Sequence, residues 1–358
     1  MTVLVWQWGR RGAGPRFGAA LADSLAALPP TKVALSLAAG AEILRGADPP
    51  GCALPFRTYG GLPGFVGRAA QSPALVAPLA AQLRTLDVRA AICAMPAPLD
   101  LLMAAALRRI GVPYTVIVHE VAPRAHRGPP LETLLQRRLI GGAQTLVALT
   151  QHVADRLAAQ GLARGKTLLL GNHPPFVFGP KPPPPRAHGG KLRLLCFGRL
   201  APYKGLDLLA EALRRLGTRP DLVVRVVGRG TESAALRALR CLPDVTVENR
   251  WVPEEEIAAL LAWADALVLA YREASQSGVA AAALAAGRWV IATRVGGLAE
   301  QLHANPLGLL CEPAADSIAD AVLALLARPP AAPLPPPDSG AEWRRLAETL
   351  RLAIGAVA

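Results

Sequence analysis

The sequence predicts an α/β protein of two domains, each built on a parallel β-sheet covered by helices. Short apolar segments alternate with amphipathic segments of helical period along the whole chain, as in proteins that bury both faces of a parallel sheet. The 358 residues exceed one ordinary core and suit two domains of about 150–180 residues each. A segment dense in Pro and Gly, 172–190, separates two such alternating stretches.

The first half is predicted to contain five buried strands with helices between them. After the first strand we expect a glycine-rich loop over 9–16 and a helix over 17–28, because the sequence GRRGAGPR interrupts the apolar pattern. Further helices are expected at 99–111 and 130–142. The expected strands are 2–8, 32–38, 89–95, 114–120 and 145–150.

The second half repeats the alternation and ends in a separate helix. Strands are expected at 191–200, 221–230, 245–251, 265–273 and 288–297. The domain boundaries are therefore predicted at 1–175 and 191–335, with a semi-rigid proline-rich linker at 176–190 and a C-terminal helix, 340–358, that packs back on the N-terminal domain. Because open parallel sheets bind ligands at the carboxyl ends of their strands, we expect a site in a cleft between the domains.

The charge of the chain is distributed unevenly. The net charge is +13, of which residues 1–180 contribute +10 (18 Lys and Arg against 8 Asp and Glu) and residues 181–358 contribute +3 (21 against 18). A basic N-terminal half favours contact with an anionic surface. The cations are scattered rather than gathered in an arm, so we expect peripheral contact with an anionic membrane and no nucleic-acid partner.

The cysteines and the N-terminal segment indicate where in the cell the protein is expected. The five cysteines are far apart in sequence, and Cys93 and Cys196 lie inside apolar segments, which is typical of core thiols in a reducing compartment. The apolar run at the start of MTVLVWQWGRR is too short for a signal peptide or a membrane span. We therefore expect a cytoplasmic protein, peripheral at the inner face of the cell membrane.

Two cations follow the first strand of the second half. Arg199 and Lys204 lie in the loop FGRLAPYKG, just before a helix that is expected to start near Gly205. Such a loop can direct both side chains toward a ligand, where a diphosphate could bridge them. The alternative interpretation is a pair of surface cations at a turn.

A second segment, YREASQSGV, combines a carboxylate with a predicted helix start. Tyr271 ends a strand, Glu273 follows it, and Ser277-Gly278-Val279 opens a helix whose first N–H groups can bind an anion. The alternative interpretation, a helix capped by Ser277, explains the serine but leaves Glu273 unexplained.

These segments resemble the donor domain of family 4 (group 1) retaining glycosyltransferases, which have two Rossmann-like domains in the GT-B fold. The resemblance rests on GRLAPYKG, VVGRG, the segment from Glu273 through SGV, and VIATRVGGLAE. It implies that Arg199 and Lys204 bind the donor diphosphate and that Glu273 contacts the transferred sugar. The second glutamate of the family's Glu-x7-Glu motif would fall at Ala281, so ribose binding is expected to be weaker or to come from another group, such as main chain or Glu300.

The N-terminal half resembles the family less specifically. Gly12 and Gly14 match a glycine-rich loop on the acceptor side, although the dinucleotide fingerprint fails because residue 17 is Phe. His119 ends a predicted strand where the family has a His beside the sugar; a core histidine is the alternative. Other residues that could line the site are Thr150 and Gln151, which end a similar strand, and Arg250 with Trp251, near the expected position of the base.

The resemblance implies a hexosyltransferase that uses a nucleoside-diphosphate sugar and a glycan or lipid-linked acceptor in envelope polysaccharide or glycolipid synthesis. No Asp-x-Asp occurs in the chain, in agreement with a reaction that needs neither metal nor cofactor. Two alternatives stay open. One is a GT-B nucleotide-sugar epimerase, and the other is a non-catalytic protein of this fold that binds sugar nucleotides.

Overall fold

The computed structural model describes residues 2–29, 31–46, 48–121, 130–303, 305–328 and 338–355. They form two compact units, Met1–Asn172 with Gly340–Ala358, and His173–Ser339. Most of the second proline-rich break, 329–337, lies outside the described residues. None of the helices in the described ranges is long and apolar enough to cross a membrane.

The first unit contains a six-stranded parallel sheet in the order β2-β1-β3-β4-β5-β6. Each of its first five strands coincides with an apolar segment identified in the sequence, whereas β6 was not expected. The strands are β1 (Thr2–Gln7), β2 (Lys32–Leu37), β3 (Val88–Cys93), β4 (Tyr114–Val118), β5 (Thr145–Ala148) and β6 (Thr167–Leu170). The helices between them are α1 (Ala13–Ala26), α2 (Gly61–Thr85), α3 (Asp100–Arg109), α4 (Pro130–Gly142) and α5 (Gln151–Ala159).

Helix α2 is apolar on both of its faces. The side that meets the first core includes Leu79, Ala80 and Leu83, but no residue of 61–78 is buried. Leu62 and Val66, one turn apart, are 74% and 59% exposed. A helix that is apolar all round is normally buried on all sides, so the outer face of α2 is unusual for a surface helix.

The last helix, α12 (Ser339–Gly355), packs within the first unit from Gly340 onward. Its Trp343 ring lies 5.1 Å from the ring of Phe17 on α1, measured between centroids. Asn172 Nδ2 donates to the backbone oxygen of Glu342 at 3.1 Å. These contacts place α12 on the face of the sheet that α1 covers.

The second unit contains another six-stranded parallel sheet, in the order β12-β11-β10-β7-β8-β9. Its strands are β7 (Leu192–Phe197), β8 (Leu222–Gly228), β9 (Val245–Asn249), β10 (Ala266–Leu269), β11 (Trp289–Thr293) and β12 (Gly308–Cys311). Its helices are α6 (Leu206–Leu216), α7 (Ala234–Arg240), α8 (Glu254–Trp263), α9 (Gly278–Ala285), α10 (Gly296–Leu302) and α11 (Ala315–Leu326). The predicted fold class, with two Rossmann-like domains, is confirmed.

A buried carboxylate of the second unit, Asp265, binds the proline-rich segment. Asp265 is 2% exposed and sits just before β10. Its oxygens accept hydrogen bonds from the backbone N–H groups of Arg186 at 2.5 Å and Arg193 at 2.9 Å, and they pair with His188 Nε2 at 3.0 Å. The carboxylate thereby satisfies the backbone N–H of Arg186, in a segment where proline prevents regular pairing, together with that of Arg193 in β7.

Candidate functional site

The carboxyl ends of β7 and β10 form the point where the strand order of the second sheet reverses. From β7 the chain proceeds outward through β8 and β9, and it returns to the other side of β7 as β10. The connections that leave these two neighbouring strands diverge, and open α/β sheets bind ligands in the space between such connections. The loops concerned, 198–205 and 270–277, contain most of the donor-site residues predicted from the sequence.

The two loops contact each other through their backbones. Arg272 N donates to Tyr203 O at 2.8 Å. Gly205 adopts the left-handed conformation, with φ 62° and ψ 36°, and a β-carbon there would lie 1.8 Å from Ala270 O. Glycine is therefore required at this position, both for the backbone angles and for the close approach.

Lys204 meets the second loop at a buried tyrosine. It ends a 3₁₀ turn, Pro202–Lys204, and its ammonium group donates a hydrogen bond to the Tyr271 hydroxyl. Tyr271 is 2% exposed, and its hydroxyl oxygen lies 3.5 Å from Ser277 Oγ. A single phenol thus connects the cation of the first loop with the start of α9.

The start of α9 has the features of an anion site. Ser277 is the N-cap, and its Oγ accepts a hydrogen bond from Ala280 N at 3.2 Å. The amides of Gly278 and Val279 belong to the first turn, where a helix offers no intrahelical acceptor and carries positive partial charge. Gly278 is exposed, so its backbone can approach a phosphate closely.

Two side chains from the following elements hold this loop in place. Gln301 on α10 contacts the backbone of Ser277 twice: its Oε1 accepts from Ser277 N at 2.6 Å, and its Nε2 donates to Ser277 O at 3.4 Å. Thr293 Oγ1, at the end of β11, donates to Tyr271 O at 2.5 Å. These bonds join the loop to α10 and β11 through groups of the protein itself.

Arg199 and Glu273 occupy the same end of the sheet. Arg199 is exposed and follows Gly198, where a β-carbon would lie 3.4 Å from Val279 Cγ2. The first turn of α9 is thus next to the residue that precedes Arg199. Glu273 is half-buried in the loop after β10. Their contacts with a diphosphate and a sugar remain predictions.

Ala281, the departure from the family motif, is a small residue in a tightly packed helix. It is 7% exposed, and all residues of Ala280–Ala285 are buried. Glu300, considered as a substitute ribose contact, is exposed on α10. That role remains a prediction.

His173 was not identified from the sequence but belongs to this region. A β-carbon on Gly278 would lie 3.9 Å from His173 Cε1, next to the first turn of α9. Desolvation by burial lowers the pKa of His173 to about 4, so the imidazole is neutral at pH 7. The sequence feature that could have pointed to His173 is its position directly before the prolines of NHPP. No local sequence feature points to Gln301, because it lies 24 positions from Ser277.

The glycines predicted in the first unit have different surroundings. Gly12 is the N-cap of α1, with φ 80°, and a β-carbon at this residue would have nothing within 4 Å. Gly14 was expected in a loop, but α1 begins at Ala13, four residues earlier than the predicted start at Phe17. A β-carbon on Gly14 would lie 2.7 Å from Gln7 Nε2, so this glycine accommodates a buried amide. Ligand binding by either glycine remains a prediction.

The other candidates of the first unit contact residues of the same unit. His119 follows β4 and is 9% exposed; its Nε2 lies 2.9 Å from Ala94 O, so this nitrogen carries the proton. Its ring meets Phe17 edge-on at 4.8 Å. Thr150 caps α5 by accepting from Val153 N at 3.3 Å. Gln151 Nε2 donates to Asp155 Oδ1 at 2.7 Å.

Arg250, predicted near the nucleotide base, is engaged by two carboxylates. Its guanidinium pairs with Glu248 at 3.1 Å and Glu256 at 2.6 Å, and its backbone N–H donates to Gly228 O at 2.9 Å. Trp251 beside it is 42% exposed. Arg250 lies at the carboxyl end of β9, and its contact with a nucleotide base remains a prediction. Within the described ranges, no cluster of His, Cys, Asp and Glu has the arrangement of a metal site.

The fold and this site define a class: proteins with two Rossmann-like domains and a candidate anion site at a switch point. The family models "Glycosyl transferase 4-like domain" and "Glycosyl transferases group 1" match residues 11–173 and 191–328, respectively. The chain therefore belongs to the group 1 glycosyltransferases of the GT-B fold.

Curated relatives match part of the chain. The "GDP-mannose-dependent alpha-(1-6)-phosphatidylinositol monomannoside mannosyltransferase" of Mycolicibacterium smegmatis is 29% identical over 232 residues, 56% of this chain and 57% of that protein. The "D-inositol 3-phosphate glycosyltransferase" of Pseudarthrobacter chlorophenolicus is 33% identical over 194 residues, 49% and 46% of the two chains. The matches span about half the length of these relatives.

Solved structures match the whole chain at low identity. Anabaena HepE, solved with UDP and glucose, has a TM-score of 0.68 and 15% identity, covering 99% of this chain and 95% of that one. Sucrose-phosphate synthase from Thermosynechococcus elongatus has a TM-score of 0.65 and 17% identity, covering 99% and 94%. At such identities the likeness shows the fold.

Proposed function

We propose that the protein is a retaining glycosyltransferase that moves a hexose from a nucleoside-diphosphate sugar to an acceptor hydroxyl. The observation that supports this most directly is that Lys204 and Ser277, the N-cap of α9, both lie at the Tyr271 hydroxyl at the switch point. A cation and helix N–H groups at one place suit a diphosphate better than a neutral ligand.

In the proposed reaction the bond between the sugar's anomeric carbon and the diphosphate oxygen breaks, and the electron pair stays on the diphosphate. The acceptor hydroxyl attacks the anomeric carbon from the same face, and its proton passes to the departing phosphate oxygen. Lys204, Arg199 and the amides of Gly278 and Val279 stabilise the charge that develops on that oxygen. Because these groups supply positive charge, the proposal requires no divalent ion. Glu273 would orient the sugar hydroxyls.

The acceptor is proposed to be an anionic or lipid-linked polyol of a glycolipid or an envelope polysaccharide. The matched relatives act on a phosphatidylinositol mannoside and an inositol phosphate, according to their names. The basic first half of this chain, with +10 of its +13 net charge, suits such an acceptor. His119, Gly12 and Gly14 remain the predicted contacts on the acceptor side.

The proposal is tested with a panel of UDP-, GDP- and ADP-sugars. We expect one base to raise the melting temperature, and the matching donor to be consumed when an acceptor is added, with EDTA leaving the rate unchanged. NMR of the product should show the donor's anomeric configuration. An inverted product would contradict the retaining mechanism, and a rate abolished by EDTA and restored by a divalent ion would contradict metal independence.

A non-catalytic sugar-nucleotide-binding protein is the second candidate, and Ala281 is the observation that favours it. The family's second glutamate is replaced by a methyl group on a helix with no exposed neighbour from Ala280 to Ala285. In the same panel, a thermal shift without consumption of any donor would support this candidate. Conversion of the donor sugar to an epimer without acceptor would instead identify an epimerase.

Tyr271→Phe tests the connection between the two loops. Removing the hydroxyl takes away this hydrogen-bond acceptor of Lys204 while the buried ring is retained, so we expect about tenfold lower kcat/KM for the donor with an unchanged melting temperature. Tyr114→Phe is the matched control, since its hydroxyl donates to Leu139 O at 2.8 Å in the first unit. Equal kinetics in Tyr271→Phe and the wild type would show that the phenol does not position Lys204.

A further inference from the structure

The outer face of α2 exposes apolar side chains that nothing in the described chain covers. Within Gly61–Pro78 the exposed residues are apolar or glycine except for Gln71. Leu62 and Val66 project furthest, at 74% and 59% exposed. Contiguous exposed apolar surface on a soluble unit marks a place of interaction.

Three arginines border the beginning of this face. Arg10 Nη1 donates to Tyr59 O at 3.1 Å, directly before the helix. Arg68, on the second turn, donates through Nε and Nη2 to Arg57 O at 2.9 and 2.6 Å. These acceptors are neutral carbonyl oxygens, and so is Gln71 Oε1, which accepts from Arg68 Nη1 at 3.2 Å. In the described residues, none of these guanidinium groups pairs with a carboxylate.

The surrounding sequence is free of negative charge. Between Pro49 and Leu86 the chain has three arginines and neither Asp nor Glu. A surface that is apolar at its centre and cationic at its edge is complementary to an anionic surface with an apolar interior. Two copies of the same face would bring like charges together, which disfavours self-association through it.

We propose that the outer face of α2, with Leu62 and Val66 at its centre and Arg10, Arg57 and Arg68 at its border, docks on an anionic phospholipid bilayer. The two apolar side chains enter the headgroup region, and the arginines contact lipid phosphates. The face lacks the hydrogen-bonding groups that would specify one protein partner: Gln71 is its single exposed amide within Gly61–Pro78. The inference does not depend on the proposed chemistry.

The test is flotation of the full chain with vesicles of phosphatidylcholine alone or mixed with phosphatidylglycerol. We expect binding to the anionic vesicles that weakens with salt, and at least about tenfold weaker binding for the double variant Leu62→Glu, Val66→Glu. Leu352→Glu is the matched control: Leu352 is 71% exposed on α12, on the sheet face opposite α2, and should bind like the wild type.

Three results would overturn the proposal. In the first, the wild-type chain does not bind anionic vesicles. In the second, the double variant binds them as well as the wild type does. In the third, the double variant and Leu352→Glu lose vesicle binding to the same extent. A dimer in solution that the double variant dissociates would also overturn it, because a second copy would then be the occupant. Since both replaced residues are exposed, the variants should melt at the wild-type temperature, and donor turnover with a water-soluble acceptor should not change.

Discussion

Replacing Lys204 with alanine should lower turnover of the nucleotide-sugar donor by about 100-fold or more without unfolding the protein. The ammonium group lies at the switch point, bonded to the Tyr271 hydroxyl beside the start of α9. There it would oppose the charge that develops on the leaving diphosphate, an effect that grows from the ground state to the transition state. Such interactions affect kcat more than substrate affinity.

The matched control for this variant is Lys191→Ala. Lys191 precedes β7 at the opposite end of the sheet and pairs with Asp244 at 2.9 Å. Both side chains of that pair are substantially exposed, so its loss should change stability and turnover little. Steady-state kinetics and a thermal melt of both variants provide the comparison. Near-normal turnover in Lys204→Ala would remove this residue from the site, whatever the fate of the control.

Replacing Gly205 with alanine should destabilise the second unit by about 3–5 kcal/mol, lowering its melting temperature by roughly 10 °C. The new methyl group would meet Ala270 O at 1.8 Å, and neither backbone can move without shifting α6 or β10. The left-handed conformation at φ 62° adds the strain of a side chain in that region.

Gly287→Ala separates the two contributions. Gly287 also has a left-handed φ, 67°, yet nothing lies within 4 Å of its β-carbon position. Its substitution should therefore cost only the conformational term, about 1–2 kcal/mol. Thermal or denaturant unfolding of both variants measures the difference. Equal losses in the two would mean that α6 and the end of β10 are not in the close contact described above.

The sequence predicted the alternation of strands and helices well because a parallel sheet buried on both faces requires continuous apolar runs. It missed β6, β12, α5 and α10, which are short, and it gave no bounds for α2. In α2 the apolar residues lie on both faces, so there is no one-sided period to detect, and Pro73 and Pro78 argue against a helix. Helix α1 also starts earlier than expected, which moved Gly14 from the loop into the first turn.

The sequence indicated which residues belong to the candidate site but not which of them contact each other. That Lys204 and Ser277 follow strand ends could be read from local patterns. That one tyrosine connects them could not, because the pairing of Lys204 with Tyr271 joins residues 67 positions apart. It depends on β10 returning beside β7, which is a property of strand order rather than of any local segment. The contact of Gln301 with Ser277 was not predicted either, because it also joins residues that are distant in sequence.

The position of β10 also has a consequence for how the second unit folds. The strands β7, β8 and β9 can pair in the order of synthesis, but β10 must join the far edge of β7 before the loops of the candidate site can meet. Contacts of large sequence separation carry the entropic cost of closing the intervening chain, which slows folding. Ligand-binding competence should therefore require this long-range pairing, and a bound nucleotide would report that β10 has joined β7.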